Sequence, residues 1–506
     1  MQYGFVKTAA LTPSIRVADC AYNARQIIEV LRGAAAAGAE IACLPELCIT
    51  GYTCGDLFFQ PVLQQGARDA LADVLRDTAG LPLLFVLGLP LTHGGKLYNC
   101  AAVCQNGRVL GVVPKTHLPN YNEFYEKRQF TPAPAENGVI DLSGAQVPFG
   151  TNLLFQCGTQ PALTLAVEIC EDLWAPLPPS TRHAMAGATL ICNLSASDET
   201  IGKAEYRRAL VTGQSARLLC GYVYADAGEG ESTTDMVFAG HNMVAENGAL
   251  LAETAPFCGG MALIDIDVER LAGERLKNTS FPAEDSANYE VIPFVLPQNV
   301  SPLTRIVSSA PFVPADAEQR ARRCDAILAM QASGLKKRLE HTHAKTAVVG
   351  ISGGLDSCLA LLVTVRAFSL LERPLSDIVA VTMPCFGTTE RTRTNAQRLC
   401  EALGVTLQHV DITQTVRSNF ADIGQDEARH DVTYENTQAR VRTLVLMNLA
   451  NRLGGLVIGT GDLSELALGW ATYNGDHMSM YGVNASVPKT LIRHIVASVA
   501  DETESS

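Results

Sequence analysis

The chain has 506 residues, of which 47% are hydrophobic, 18% charged and 6% aromatic, with 41 glycines and 24 prolines. This composition excludes a disordered, collagen-like or coiled-coil protein, and the length allows roughly two to four domains. The 39 Lys and Arg against 52 Asp and Glu give a net charge of −13. Because no block of basic residues stands out, nucleic-acid binding is not expected. An anionic ligand must therefore be held by a local site.

The cysteines and the N-terminus predict a cytoplasmic protein with reduced thiols. The 15 cysteines show no CxxC pairs, and no partner cluster completes a zinc site around Cys43, Cys48 and Cys54. The first residues lack the charged and apolar regions of a signal peptide. The most apolar run, Leu81–Leu91, is too short to span a membrane. No membrane partner is expected.

The first part of the chain alternates short apolar runs with amphipathic stretches, which predicts a layered α/β domain over residues 1–275 with two packed sheets. Predicted helices cover Ala21–Ala37 and Ala204–Leu219. Predicted strands cover Phe5–Ala10, Ile41–Pro45, Leu83–Leu87, Ala101–Cys104, Leu163–Ile169, Tyr222–Ala225, Met236–Phe238 and Met261–Ile266.

Prolines then become frequent, and residues 276–317 are predicted to be an extended connector because proline lacks an amide donor and disfavours helix. Residues 318–506 form the second predicted domain. Strand–helix alternation there indicates a doubly wound, Rossmann-like parallel sheet. It begins with a strand at Thr346–Ile351, a glycine turn and a helix at Cys358–Leu371.

The glycine turn has the character of a phosphate-binding loop. Gly350, Gly353 and Gly354 let backbone amides approach a ligand at the start of a helix. The hydroxyls of Ser352 and Ser357 can donate to phosphate oxygens, and Asp356 suggests a magnesium ligand. The pattern is not a Walker loop. It also satisfies Gly-x-Ser-x-Gly, the nucleophile elbow of α/β-hydrolases, and a purely structural turn is a third interpretation.

The sequence Ser-Gly-Gly-Leu-Asp-Ser at residues 352–357 resembles the pyrophosphate loop of the ATP-pyrophosphatase superfamily. Downstream segments, Tyr434–Arg442 and Gly459–Leu466, are similar to those of NAD synthetases. The resemblance implies ATP as co-substrate and Mg²⁺ as cofactor. It implies ATP binding by Gly350, Ser352, Gly353, Gly354, Asp356, Ser357, Thr460 and Lys489, and metal binding by Asp356 and Glu465. It also implies deamido-NAD binding by Asn436, Arg440, Glu465, Trp470 and Asp476.

Three polar residues follow apolar runs in the first domain: Glu46, Lys115 and Cys170. Taken singly, the cysteine is more often an inert buried thiol, and the two charges are more often surface groups. Together they resemble the triad of the nitrilase superfamily, which implies an α-β-β-α sandwich. In that chemistry Glu46 is the base, Cys170 the nucleophile and Lys115 the oxyanion partner. The resemblance also implies glutamine binding by Tyr52, Tyr121, Glu126, Ser197 and Lys203, with Glu126 assisting proton transfers.

Both halves resemble the glutamine-dependent NAD synthetase family. The family implies a homo-oligomeric enzyme that makes ammonia from glutamine and uses Mg-ATP to adenylate deamido-NAD, which ammonia converts to NAD. A related amidotransferase acting on another carboxylate, and a non-catalytic nitrogen- or nucleotide-sensing module, remain alternatives. The acidic end, residues 500–506, is predicted to be an undocked tail. By the resemblance, the second domain is expected to lack its C-terminal part, which would weaken synthesis.

Overall fold

The computed structural model describes residues 4–297, 302–386 and 390–505, with only the backbone described at residues 229, 390–393 and 502–505. The chain divides into two compact units, Met1–Ile306 and Val307–Ser506. No helix in the described part of the chain combines the length and apolar character needed to cross a bilayer.

The first unit consists of strands and flanking helices. Its strands are β1 (Phe5–Thr12), β2 (Ile41–Cys43), β3 (Leu84–His93), β4 (Lys96–Gln105), β5 (Arg108–Pro114), β6 (Gly138–Leu142), β7 (Ala145–Phe149), β8 (Leu153–Cys157), β9 (Thr164–Ile169), β10 (Leu190–Ser195), β11 (Gly221–Asp226), β12 (Met243–Glu246), β13 (Ala249–Glu253), β14 (Gly260–Asp267) and β15 (Glu290–Phe294). Its helices are α1 (Cys20–Ala36), α2 (Pro61–Thr78), α3 (Glu126–Gln129), α4 (Glu171–Trp174), α5 (Pro179–Met185), α6 (Lys203–Leu218) and α7 (Val268–Lys277). Short 3₁₀ segments cover Tyr52–Phe59 and Glu229–Glu231.

The described strands of this unit form two sheets, in the orders β14-β1-β2-β3-β4-β5-β7-β6 and β13-β12-β11-β10-β9-β8-β15. Alternate residues of each strand point to opposite faces. Thus Leu84 and Val86 belong to the core shared by the two sheets, whereas Phe85 and Leu87 pack with α1 and α2. On the other side, α5 and α6 pack on the second sheet. The predicted α-β-β-α sandwich is therefore confirmed.

Two details differ from the sequence expectations. The predicted strand at Met236–Phe238 is wrong, because this segment makes only an isolated bridge between Phe238 and Asp198. The proline-rich segment contains a strand, β15, which pairs in parallel with β8. Pro293 is tolerated there because β15 is the last strand of its sheet, where a missing amide donor leaves no neighbour unpaired.

The second unit is a parallel sheet covered by helices. Its strands are β16 (Ala347–Gly350), β17 (Ile378–Thr382), β18 (Thr406–His409), β19 (Leu456–Gly459) and β20 (Tyr481–Gly482). Its helices are α8 (Ala317–Thr342), α9 (Leu355–Leu370), α10 (Glu390–Leu403), α11 (Thr413–Ile423), α12 (Val432–Leu453), α13 (Leu463–Leu468) and α14 (Lys489–Ser505), and a 3₁₀ turn covers Leu375–Asp377. The last helix therefore extends into the segment expected to be an undocked tail.

The described strands of this sheet have the order β18-β17-β16-β19-β20, and every pair is parallel. Helices α8, α9 and α14 contribute to the core on one face, and α12 contributes to the core on the other. The predicted doubly wound sheet is thus confirmed. From β16 the chain first builds outward through β17 and then returns to add β19 on the opposite side. The carboxyl ends of β16 and β19 therefore define a switch point, the usual place for a ligand crevice.

Gly88 of β3 is required by a close approach of the backbone. A Cβ atom at this position would lie 2.2 Å from the Leu47 nitrogen and 2.6 Å from the Pro45 oxygen. These atoms belong to the loop that carries Glu46. A larger residue at position 88 must displace either this loop or β3.

We expect Gly88→Ala to lower the free energy of unfolding by about 1–3 kcal/mol, the usual cost of overpacking, and to reduce any chemistry that depends on Glu46. Thermal unfolding of the purified variant measures the first effect. Gly33→Ala is the control, because a Cβ on this α1 residue meets nothing within 4 Å, and alanine is favoured over glycine in a helix. An unfolding midpoint equal to the unmodified protein's in Gly88→Ala would contradict the close-packing argument.

Candidate functional site

Cys170 lies at a strained turn where β9 ends. Its φ is +43° and its ψ is −99°, a backbone conformation that a residue with a side chain rarely adopts. The Cys170 N–H donates to the Leu194 oxygen at 2.9 Å, and α4 begins at the next residue. Strain of this kind persists only where the surrounding structure enforces it, and it concentrates at functional sites.

Glu46 and Lys115 form a buried ion pair between the two sheets. The Lys115 Nζ donates to Glu46 Oε1 at 2.6 Å, and both side chains are fully buried. Glu46 Oε2 accepts the N–H of Ala196 at 3.0 Å. Because Ala196 follows β10, this bond ties a loop of the first sheet to a strand end of the second. The structure thus places the predicted base and oxyanion partner in direct contact.

A second carboxylate shares the same ammonium group. Glu126 Oε1 accepts from Lys115 Nζ at 2.6 Å and from the Tyr52 hydroxyl at 2.8 Å. The sequence predicts both Tyr52 and Glu126 as glutamine contacts. Their observed hydrogen bonds join them to the Lys115 network, which is the position needed for the predicted assistance to proton transfer.

Charges and burial act together on the ionisable groups here. Burial raises the pKa of the Cys170 thiol well above its ordinary value; Glu46 acts in the same direction and Lys115 opposes it. Burial disfavours the Lys115 ammonium, but Glu126 and Glu46 raise its pKa well above the usual range. The pKa of Glu126 rises to about 7, mainly because of burial. A resting neutral thiol beside a permanently charged lysine requires a base before it can act as a nucleophile.

Asp172 is a buried carboxylate close to the Cys170 turn that the sequence interpretation did not single out. Its carboxylate accepts the N–H of Ile169 at 3.0 Å and the N–H of His117 at 2.8 Å. Burial raises the pKa of Asp172 to about 8, while these N–H groups act in the opposite direction. The side chain thereby connects the turn of Cys170 to the loop that follows Lys115. The signal available in the sequence is its position two residues after the cysteine.

Of the remaining predicted glutamine contacts, Tyr121 and Ser197 lie on loops and Lys203 is the first residue of α6. Tyr121 donates its hydroxyl hydrogen to Glu171 at 2.9 Å. Lys203 forms an ion pair with Asp198, and its Nζ lies 5.5 Å from the ring centroids of both Phe124 and Trp174. Ser197 is held from two sides. Its Oγ accepts from Arg207 Nη2 at 3.2 Å, and its N–H donates to Asp226 at 2.9 Å.

A cavity of about 310 Å³ opens beside Tyr52 and Glu126. Its walls also include Phe124, Tyr125 and Arg128. Of the predicted glutamine contacts, Tyr52 and Glu126 line this cavity, whereas Tyr121, Ser197 and Lys203 lie outside its lining.

The second unit has a cavity of about 480 Å³ at the switch point between β16 and β19. Eight predicted ligand-binding residues line it: Gly350, Ser352, Asp356, Ser357, Thr460, Glu465, Trp470 and Asp476. Five others lie outside its lining: Gly353, Gly354, Asn436, Arg440 and Lys489. The Ser352 hydroxyl contacts Ser357 Oγ and the Gly354 N–H. The partners of this serine are atoms of the loop itself, which does not favour the hydrolase interpretation.

Three carboxylates meet beside this loop. Asp356, Asp462 and Glu465 place one oxygen each within 4.8 Å of one another, and Asp356 Oδ1 is buried with no hydrogen-bond partner among the described residues. Oxygen donors of this type suit Mg²⁺. Lys489 forms an ion pair with Asp356 and lies 3.5 Å from Asp462 Oδ2. Asp462 was missed by the sequence interpretation, although its capping box with Glu465 is visible as Asp-x-x-Glu.

The predicted deamido-NAD contacts fix the loop that follows α13. Asn436 accepts from the Thr472 hydroxyl at 3.0 Å, and Asp476 accepts the Thr472 N–H at 2.9 Å. Arg440 donates to the Tyr473 oxygen at 3.1 Å. Trp470 is 78% exposed, which leaves its ring free to stack. Arg442 and Thr443 also line the cavity and were not predicted from the sequence.

Comparison with known proteins identifies each unit. Residues 7–275 match the carbon-nitrogen hydrolase family and residues 327–500 match the NAD synthase family. The chain thus joins an amide-hydrolysing module to a nucleotide-dependent synthase module.

Similar proteins cover nearly the whole chain. The glutamine-dependent NAD(+) synthetase of Mycobacterium tuberculosis (strain ATCC 25618 / H37Rv) is 46% identical over 99% of this chain and 76% of its own length. That of Mycobacterium leprae is 44% identical over 97% of this chain and 75% of its own. A solved structure of the Acinetobacter baumannii enzyme with ADP covers 97% of this chain and 81% of that chain, at 26% identity and a TM-score of 0.45. The chain belongs to the glutamine-dependent NAD(+) synthetase family.

We expect Asp172→Asn to loosen the connection between the Cys170 turn and the Lys115 loop. The new amide replaces one acceptor with a donor that faces a backbone N–H, and a buried N–H left without a partner costs about 1–3 kcal/mol. Calorimetry on the variant should show a lower unfolding temperature for the first unit. Asp141→Asn is the matched control, because Asp141 is exposed on β6 and its carboxylate also accepts a backbone N–H, that of Gly144 at 3.0 Å. An unchanged unfolding profile for Asp172→Asn would show that the carboxylate does not hold these loops.

Proposed function

We propose that this chain makes NAD from deamido-NAD, with glutamine as the nitrogen donor and ATP as the source of activation. The first unit releases ammonia from glutamine, and the second adenylates the nicotinate carboxylate, from which ammonia displaces AMP. The observation that carries the proposal is the buried Glu46–Lys115–Glu126 network beside the strained turn of Cys170. The switch-point cavity of the second unit, lined by a glycine loop and acidic side chains, supports the synthetic half.

The glutaminase steps follow from the charges of the site. Glu46 removes the Cys170 proton, and the sulfur attacks the amide carbon of glutamine. Lys115, which remains an ammonium ion throughout, donates to the oxyanion. The proton on Glu46 passes to the leaving nitrogen, ammonia departs and a thioester remains on Cys170. Glu46 then activates a water molecule, which releases glutamate and restores the thiol.

In the second unit, the carboxylate of deamido-NAD attacks the α-phosphorus of ATP and pyrophosphate leaves. The backbone amides of the loop at Ser352–Gly354 and the start of α9 suit the phosphate groups. Asp356, Asp462 and Glu465 would hold Mg²⁺, which would supply positive charge to the phosphates. Ammonia then attacks the acyl carbon, and AMP leaves. Lys489 can exchange its contact with Asp356 for a phosphate oxygen.

The proposal includes a cytoplasmic, homo-oligomeric enzyme that binds neither nucleic acid nor membrane. The net charge of −13 disfavours polyanion binding. Most of the cysteines are buried free thiols, as suits a reducing compartment.

Product analysis separates this activity from its alternatives. The protein is incubated with glutamine labelled with ¹⁵N at the amide, ATP and deamido-NAD, and the nucleotides are analysed by mass spectrometry. Labelled NAD together with AMP supports the proposal. Transfer of the label only to a different carboxylate in a substrate panel indicates a related amidotransferase. Binding of ATP and deamido-NAD without any turnover indicates a sensing module.

We expect Cys170→Ala to abolish glutamine-driven NAD synthesis and to leave synthesis from ammonium salts near the level of the unmodified protein, because nucleophile and nucleotide site belong to different units. Parallel assays with the two nitrogen donors measure this. Cys192→Ala, a buried thiol on neighbouring β10, controls for the loss of a core sulfur. Equal losses with both donors in Cys170→Ala would contradict the division of labour.

Asp356→Ala is expected to show the opposite pattern. Synthesis from either donor should fall by at least a hundredfold at ordinary magnesium concentrations, because the phosphates lose charge compensation worth several kcal/mol, while glutaminase activity survives. Mn²⁺ binding in the presence of ATP, followed by electron paramagnetic resonance, should weaken in parallel. Asp422→Ala, on exposed α11, is the control. Full synthesis by Asp356→Ala would rule out metal binding by Asp356. A separate variant, Ser352→Ala, tests the hydrolase interpretation, which loss of both synthesis and glutaminase activity would support.

A further inference from the structure

Asn99 is buried in β4, where its side chain contacts Glu46 and Glu126 of the catalytic network. Its side chain and backbone are 1% exposed, and its backbone pairs with Pro90 of β3. The Asn99 carbonyl accepts the N–H of Lys115 at 2.8 Å. The strand therefore fixes the point at which the Lys115 side chain leaves the sheet.

The Asn99 amide faces both carboxylates of the network. Its Nδ2 donates to Glu46 Oε1 at 2.6 Å and to Glu126 Oε2 at 3.4 Å. The reversed orientation of the amide would place an oxygen against two carboxylates, so hydrogen bonding assigns nitrogen to this side. Asn99 Oδ1 is buried and has no hydrogen-bond partner among the described residues. A half-satisfied buried amide is unfavourable for stability, which indicates that its two donors serve the site.

The network needs a neutral donor because its charges do not balance. Two carboxylates share the single Lys115 ammonium. The other ionisable groups that act on these residues are Tyr52, Cys170, Glu231, Tyr121, Glu171, Asp172 and Tyr224. None of these supplies positive charge. An amide adds two N–H donors to the carboxylates without adding charge, and the shorter of its two contacts is with Glu46.

We propose that Asn99 is a positioning residue: its shorter hydrogen bond favours the ionised form of Glu46 as the base for Cys170, so that a proton taken up by the two carboxylates goes to Glu126. The assignment rests on the glutaminase half of the proposed function. It agrees with the separate finding that burial brings the pKa of Glu126 to about 7. The N–H of Ala196 also favours the ionised form of Glu46, but it donates to Oε2. Asn99 and Lys115 donate to the other oxygen, Oε1.

The test is the pH dependence of Asn99→Ala. Loss of a hydrogen bond to the ionised carboxylate should move the acid limb of kcat/KM for glutamine hydrolysis upward by about one pH unit. At neutral pH kcat should fall about tenfold. KM should change little, because the Asn99 side chain contacts Glu126 but none of the other predicted glutamine-binding side chains, and it contacts no atom of glutamine in the proposed steps. Asn99→Asp adds a third carboxylate and should produce a larger shift in the same direction. Synthesis from ammonium salts should persist in both variants.

Alkylation of Cys170 by iodoacetamide gives a second measurement that does not depend on turnover. Its rate, followed across the pH range by mass spectrometry of the Cys170 peptide, should show the same upward shift in Asn99→Ala. Asn137→Ala is the control, since the Asn137 amide makes structural hydrogen bonds with the Asn152 backbone. It should lower the unfolding temperature without moving either profile.

The outcomes separate this inference from the proposed function. Unshifted acid limbs in folded Asn99→Ala and Asn99→Asp, whatever the change in kcat, would overturn the role of Asn99. A shifted alkylation profile in a protein that does not hydrolyse glutamine would support the role of Asn99 and contradict the glutaminase assignment. If Asn99→Ala fails to fold, Asn99→Asp, which preserves the side-chain volume, carries the same test.

Discussion

The first unit depends on one buried ammonium group held between two carboxylates. Removing a lysine from water is expensive, and the interior tolerates it only where partners with good geometry compensate the charge. Glu46 follows β2, Lys115 follows β5 and Glu126 opens α3. Three separate segments must therefore arrive at hydrogen-bond distance together. This requirement fixes the loops at one end of the sandwich, and it explains why β3 carries a glycine at position 88, where the Glu46 loop passes.

The second unit follows the opposite electrostatic rule. Asp356, Asp462 and Glu465 lie close together, with Lys489 as their cationic contact. Lys489 is about half exposed, whereas Lys115 is fully buried. In the first unit Lys115 and N–H donors of the protein hold both buried carboxylates, so the site can hold a neutral substrate amide. In the second the ligands must supply cations and anions, which suits a site for metal-bound polyphosphate.

The sequence predicts those parts of the fold and site that leave a local signal. Glu46, Lys115 and Cys170 each follow an apolar run, and their joint resemblance to the nitrilase triad singled them out. Asn99 gives no such signal, because it lies within a strand and its importance comes from tertiary pairing. The hydrogen bond of Tyr52 with Glu126 gives no local signal either, because it joins residues 74 positions apart. The connector prediction was wrong around Pro293 for a local reason. A high proline content indicates a connector, but an edge strand also tolerates proline.

Keeping the thiol neutral has a consequence for the order of events in the first unit. A permanent thiolate would require a second charge compensated at depth, and Lys115 is already shared by two carboxylates. Burial instead favours the protonated form of the sulfur. Glu46 can then accept that proton, because Lys115, Ala196 N and Asn99 stabilise its ionised form before the transfer. The lysine charge stays constant while the proton passes from sulfur to Glu46, so the positive charge that meets the oxyanion is already in place.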